Sequence, residues 1–230
     1  MEASYGKSGL LVERLTQMLS AAIMAVMVLA VLPSAAQADT APPLKLAVLG
    51  DSLTAGYGLP LEAAFPSRLE KALQAKGHKV EILNAGVSGD TSTGGRDRLD
   101  WSIPDGTDAV IVELGANDAL RGLDPAITRA ALEDIIKRLQ ARKIAVMLAG
   151  MYAPRNYGSE YAAKFDAIYP DLAKAYGVPL YPFFLDGVAA ESKLNQADGM
   201  HPTAEGIDQI VQRILPAVEA FLTNVAAQRR

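Results

Sequence analysis

Ser52 lies in Gly50-Asp51-Ser52-Leu53-Thr54-Ala55-Gly56-Tyr57-Gly58, directly after the apolar run Leu46-Ala47-Val48-Leu49. A serine hydroxyl is a weak nucleophile until a neighbouring base removes its proton. The sequence has two histidines to serve as that base and no cysteine to serve as a rival thiol nucleophile. His201 stands in Asp198-Gly199-Met200-His201-Pro202. Three residues across a turn let the Asp198 carboxylate reach the imidazole Nδ1, which fixes the tautomer and stabilises the imidazolium formed when Nε2 accepts a proton. Attack on an ester carbonyl would also place negative charge on the former carbonyl oxygen, which requires preorganised donors. The backbone N–H groups of Ser52 and Gly89 and the side-chain amide of Asn117 can supply them.

Each of these residues, taken singly, has a plainer reading. Ser52 caps the segment after a strand as well as it attacks a substrate. Asn117 suits a turn after a strand. An Asp-x-x-His pair also fits a cap or a metal pair, although a metal site normally draws on more than one imidazole or several carboxylates. His78, between Gly77 and Lys79, reads as a solvated surface residue in a turn at the opposite end of the sheet.

The elements around these residues bring them together. The run at 46–49 ends at Gly50-Asp51 and reads as a buried parallel strand, too short for a helix. Residues 61–75 space Leu61, Phe65, Leu69, Ala72 and Leu73 as an amphipathic crossover helix. Strands follow at 80–84, 109–114, 144–149 and 179–181, with helices near 96–101, at 124–142 opened by Asp124-Pro125, at 159–176 interrupted by Pro170, and at 203–224. Alternation of this kind predicts an α/β protein, a flavodoxin-like three-layer α/β/α sandwich on a five-stranded parallel sheet of order 2-1-3-4-5. Such a sheet presents the carboxyl ends of its strands at one rim, where Ser52, Gly89 and Asn117 would converge. Apolar groups in loops near that rim, Ile103, Leu120, Leu123, Met151, Tyr152 and Tyr157, are candidates to bind an acyl chain, with ordinary packing as the alternative for each.

The chain of 230 residues, half of them hydrophobic, suits one globular domain. Its first part differs. Residues 15–38 carry no charge, 18–32 are nearly all apolar, and Ala36-Gln37-Ala38 offers the small residues of a signal-peptidase site. Residues 1–38 are therefore expected to be a signal peptide and 39–230 the mature domain, exported to the periplasm or beyond with no stable membrane anchor after cleavage. The charged stretch before the apolar core is long for a signal peptide, so translation could start at Met18. The absence of cysteine rules out disulfides, a lipid-modified cysteine and thiolate metal sites. A net charge of −4 without a basic stretch argues against nucleic acid.

Taken together, the four blocks Gly50-Asp51-Ser52-Leu53, Gly86-Val87-Ser88-Gly89, Gly115-Ala116-Asn117-Asp118 and Asp198-Gly199-Met200-His201 resemble those of the SGNH (GDSL) hydrolases, in order and spacing over nearly the whole mature chain. The stretches Gly89-Asp90-Thr91-Ser92, Val112-Glu113-Leu114-Gly115 and Asn156-Tyr157-Gly158 are similar to the exported bacterial branch of thioesterases, lysophospholipases and arylesterases. The resemblance implies a metal-free, cofactor-independent serine esterase acting on small-molecule or lipid esters and thioesters. It also implies Ser52 as nucleophile, His201 as base, Asp198 as orienting acid and Ser52, Gly89 and Asn117 as oxyanion donors; the loop from Met151 to Gly158 differs more from the family, so Met151, Tyr152 and Tyr157 rest on their place near the rim alone. A carbohydrate O-deacetylase of the same family is the nearest rival, and a non-catalytic flavodoxin-like binding module a more distant one. An α/β-hydrolase would need a Gly-x-Ser-x-Gly elbow, which does not occur here.

Overall fold

A computed structural model describes residues 42–229. The expected signal segment, residues 1–38, lies outside the described residues. Five strands, β1 (Leu44–Gly50), β2 (Val80–Gly86), β3 (Ala109–Glu113), β4 (Ala145–Ala149) and β5 (Leu180–Tyr181), form one all-parallel sheet in the order β2-β1-β3-β4-β5. The expected architecture and strand order are therefore the observed ones. The central strands β1 and β3 are apolar and buried nearly throughout, because helices cover both faces.

Nine α-helices complete the described residues: α1 (Ser52–Ala55), α2 (Phe65–Ala75), α3 (Ser92–Asp97), α4 (Leu99–Ser102), α5 (Ala116–Leu120), α6 (Pro125–Ala141), α7 (Ser159–Asp166), α8 (Ile168–Tyr176) and α9 (Ala204–Gln228). Helix α2 packs against α9 in one layer, and α6 packs against α3 and α8 in the other. At the open edge of the sheet, Glu70 and Gln74 of α2 engage the Ile82 N–H and the Val80 carbonyl, at 2.5 and 3.0 Å. Those side chains occupy backbone groups that a further strand would otherwise pair with.

Several boundaries differ from the expected ones for identifiable reasons. Residues 61–63 form a 3₁₀ turn and the α-helix begins only at Phe65, with Pro66 in its first turn. The break in the 159–176 segment falls at Ala167 rather than at Pro170. Proline disturbs the backbone four residues before it, so α7 ends at Asp166, while Pro170 itself sits in the first turn of α8, where a missing N–H matters little. The helix expected at 96–101 is two short helices meeting at Arg98, the first starting at Ser92 under a Thr91 cap at 3.2 Å from the Gly94 N–H. The last helix runs on to Gln228.

Candidate active site

In the β1–β2 and β1–β3 pairings Gly50 stands level with Gly86 and with Glu113, so three strands end side by side. The residues that follow each of them build the site. Ser52 opens α1, with Asp51 as its cap and the Leu53 N–H donating to Asp51 Oδ1 at 3.0 Å. As the first residue of a helix, Ser52 has an N–H without a carbonyl one turn back. Its side chain meets the last functional loop across the rim: Ser52 Oγ and His201 Nε2 are 2.9 Å apart.

His201 Nδ1 in turn lies 2.7 Å from Asp198 Oδ2. The other carboxylate oxygen accepts the backbone N–H of Met200 at 2.9 Å and of His201 at 3.0 Å. These contacts, the His201 N–H first, then the Met200 N–H and then the imidazole, hold the Asp198 carboxyl down at about 2. The acid is therefore ionised wherever the imidazole could act as a base. The loop carrying both residues is a hairpin closed by the Asn195–Pro202 bridge, and Gln196 ties it to the first loop by donating to the Tyr57 carbonyl at 2.7 Å. The Tyr57 ring packs on the His201 imidazole, centroids 4.5 Å apart. Tyr57 belongs to the Ser52 loop in sequence, but its contact with a ring 144 positions away has no local signal.

Gly89 occupies the third position of a turn closed by the Asp90 N–H to the Val87 carbonyl at 3.1 Å. Its φ of +85° explains the glycine, since an added Cβ would meet no neighbour and only the backbone conformation excludes a side chain. Asn117 lies in the first turn of α5, and its Nδ2 donates to Asp51 Oδ2 at 3.1 Å and to the Asp90 carbonyl at 2.9 Å. Both amide hydrogens thus already have acceptors. An oxyanion reaching Asn117 would share or replace the neutral Asp90 carbonyl, which is favourable because a bond to an anion is the stronger one.

Beneath the serine lies a pair of buried acids. Burial pushes the Asp51 carboxyl up to about 6, against the lowering effect of the Leu53 and Asn117 hydrogen bonds. Burial and then the Asp51 charge hold Glu113 well above the usual carboxylate range, only partly offset by the Thr54 hydroxyl at 2.6 Å. Glu113 Oε1 is buried without a hydrogen-bond partner. At Gly50 an added Cβ would lie 2.0 Å from Thr54 Oγ1 and 2.6 Å from Glu113 Oε2, so this cluster packs against a strand end that has no room for a side chain.

The expected acyl-binding residues separate. Tyr157 is exposed and reaches the Leu120 carbonyl with its hydroxyl at 2.8 Å, three residues from Asn117, and its ring packs on Tyr161 at 5.3 Å. The Leu123 carbonyl accepts from Tyr161 on the same side. Tyr152, also exposed, stacks on Phe183 at 4.6 Å, and Met151 is buried after β4. Ile103 is a correction: it is fully buried, and its carbonyl is held by Arg142 near the start of β4, at the end of the sheet away from Ser52. His78 is a second correction, since it is half-buried rather than freely solvated: its Nε2 lies 3.1 Å from Glu219 Oε1, while the other carboxylate oxygen, Oε2, accepts from Lys76 Nζ at 2.7 Å.

Comparison with known proteins places this geometry in context. The profile of the GDSL-like Lipase/Acylhydrolase family matches residues 48–208. The chain is 41% identical over 162 residues to an arylesterase of Vibrio mimicus, covering 70% of this chain and 81% of that protein. It is 39% identical over 189 residues to thioesterase 1/protease 1/lysophospholipase L1 of Escherichia coli K12, covering 80% and 87%. Among solved structures, the SGNH-hydrolase family esterase AlinE4 superposes with a TM-score of 0.66 at 46% identity, over 78% of this chain and 97% of that one.

Proposed function

The chain belongs to the GDSL-like lipase/acylhydrolase family and is a serine esterase, and from that premise we propose that it works by acyl transfer through Ser52, with His201 as general base and Asp198 as its orienting acid. As Ser52 Oγ attacks the ester carbonyl, its proton passes to His201 Nε2, and Asp198 stabilises the imidazolium. The resulting oxyanion is held by the N–H groups of Ser52 and Gly89 and by Asn117 Nδ2. Collapse expels the alcohol or thiol, which takes the proton from His201 and leaves an acyl-serine. Water then enters, gives a proton to His201 and attacks the acyl carbon. The second intermediate releases the carboxylic acid as the proton returns to Ser52 Oγ.

The observation that carries this reading is the chain of two contacts from Ser52 Oγ to His201 Nε2 at 2.9 Å and from His201 Nδ1 to Asp198 at 2.7 Å. A cap would use the serine locally and would not require a histidine 149 positions away. The substrates are carboxylic esters and thioesters, among them aryl esters, acyl thioesters and lysophospholipids, in line with the activities named for its relatives. Leu120, Tyr152 and Tyr157, exposed on the segments that follow β3 and β4, offer apolar surface for the acyl chain, while Met151 is buried after β4. Residues 1–38 act as a signal peptide, and the mature domain from Asp39 works in the periplasm, where a cysteine-free protein is indifferent to thiol oxidation.

The test is labelling with a fluorophosphonate probe together with hydrolysis of p-nitrophenyl esters. Wild type should label and turn over, and Ser52→Ala should do neither. Esterase activity surviving in that variant would assign the nucleophile elsewhere.

A further inference from the structure

We propose that Arg98 and Asp90 are positioning residues of the oxyanion site, a buried ion pair that fixes the Gly89 loop against the strand end leading to Ser52. The inference rests on the acyl-transfer reading above and adds residues that this reading does not use.

Arg98 stands between α3 and α4 and is almost wholly buried. A buried guanidinium is unfavourable unless its hydrogens find acceptors, and here three nitrogens do. Nε donates to Asp90 Oδ2 at 2.5 Å, Nη1 to Ser102 Oγ at 3.0 Å and Nη2 to the Gly50 carbonyl at 2.9 Å. Gly50 is the last residue of β1, two before Ser52, and its carbonyl also accepts the Val87 N–H at 3.0 Å. Asp90 directly follows Gly89. One side chain therefore connects the two backbone segments whose N–H groups would bind the oxyanion.

The connection closes into a ring. The Asp90 carbonyl accepts from Asn117 Nδ2, and the same amide donates to Asp51, the residue between Gly50 and Ser52. From Gly50 the path runs through Arg98, Asp90 and Asn117 back to Asp51, so all three oxyanion donors hang from one hydrogen-bonded circuit. Asp90 is confined within it: a Cβ added at Gly94 would lie 2.8 Å from Asp90 Oδ1. Arginine suits this place because its planar fork reaches several acceptors in fixed directions, which one ammonium group cannot do. A loop bearing a φ of +85° at Gly89 has no helix or strand of its own to hold it; the pair anchors it on the side of β1, while Arg121 Nη2 holds the Gly89 carbonyl at 2.9 Å on the other.

The consequence is kinetic. Displacing catalytic donors by a fraction of an ångström to about 1 Å lowers the rate on the order of 10–100-fold, while substrate contacts elsewhere are untouched. The experiment measures kcat and KM for a p-nitrophenyl ester in Asp90→Ala, Arg98→Lys, Asn117→Ala and the Asp90→Ala/Asn117→Ala double variant. Asp90→Ala is the decisive single change, because it cuts the link from Arg98 to the Gly89 loop while Arg98 keeps its Ser102 and Gly50 acceptors, and Arg98→Lys, which retains the charge, controls for the loss of the ion pair itself. Both Asp90→Ala and Arg98→Lys should lose about 10–100-fold in kcat with KM held within about threefold, a split that general loosening of the fold would not produce. In the double variant the two losses should combine to less than their product, since both act on one circuit. A kcat within about threefold of wild type in Asp90→Ala, a change confined to KM, or multiplicative losses in the double variant would each overturn the proposal. Activity persisting in Ser52→Ala would instead overturn the acyl-transfer reading beneath it.

Discussion

Replacing Asp198 by asparagine isolates the role of its charge with little change in shape. Oδ1 can go on accepting the Met200 and His201 N–H groups, at 2.9 and 3.0 Å in the parent, so the turn should survive. At the other oxygen an NH₂ group would face His201 Nδ1, 2.7 Å away. Two donors cannot share that contact, so the imidazole takes the tautomer with its proton on Nε2. That proton then points at Ser52 Oγ, and the ring can no longer accept the serine proton. In fully buried triads the same change lowers kcat by about 10⁴. Here the Asp198 side chain is 33% exposed against 18% for His201, so water reaches the pair and replaces part of the lost stabilisation. The expected loss is about 10²–10³ in kcat, with KM and melting temperature nearly unchanged. The assay is steady-state hydrolysis of a p-nitrophenyl ester at neutral pH, with the rate of fluorophosphonate labelling as a second readout on the serine itself. A kcat within about tenfold of wild type, or an unchanged labelling rate, would refute the assignment of Asp198 as the orienting acid.

Three further outcomes are expected. Gly89→Ala forces a Cβ onto a φ of +85° in open space; the turn should relax by about 1–2 kcal/mol of strain and rotate its N–H away, lowering kcat by about 10²-fold or more with little change in thermal stability. For the buried acids the sign follows from raised folded-state values: above their unfolded values near 4 the folded chain holds more protons than the unfolded one, so the Asp51 contribution to stability falls as pH rises to about 6, and the contribution of Glu113, held well above the carboxylate range, goes on falling beyond it. Glu113→Gln should flatten that fall by at least about 1 kcal/mol in urea titrations between pH 4.5 and 7.5, and parallel wild-type and variant profiles would remove the pair as its source. Tyr157→Ala should shift the ratio of octanoyl to acetyl ester kcat/KM by about fivefold or more, the effect of losing part of one aromatic contact; an unchanged ratio would take Tyr157 out of the acyl site.

Local chemistry made much of this protein legible from its residues. The strands β1 and β3 could be read because both faces of a central parallel strand must be apolar, which leaves a short unbroken run between polar turns. The sheet order and the rim at which Ser52, Gly89 and Asn117 meet follow from alternating strands and helices. The Asp198–His201 contact spans one turn, and four spaced blocks select the family. Contacts between distant segments leave no such pattern. Nothing near Arg98 in the sequence announces that it turns inward to Gly50 and Asp90, because an arginine between two short helices looks like any solvated charge until the chain folds over it. The same holds for Tyr57 against His201, for Glu219 beside His78 and for the burial of Ile103. The raised carboxyls of Asp51 and Glu113 also exist only in the folded state, since desolvation depends on how much of the molecule surrounds a group. Composition and spacing determined which groups could react and on what scaffold; packing decided how firmly each is held and what proton it keeps.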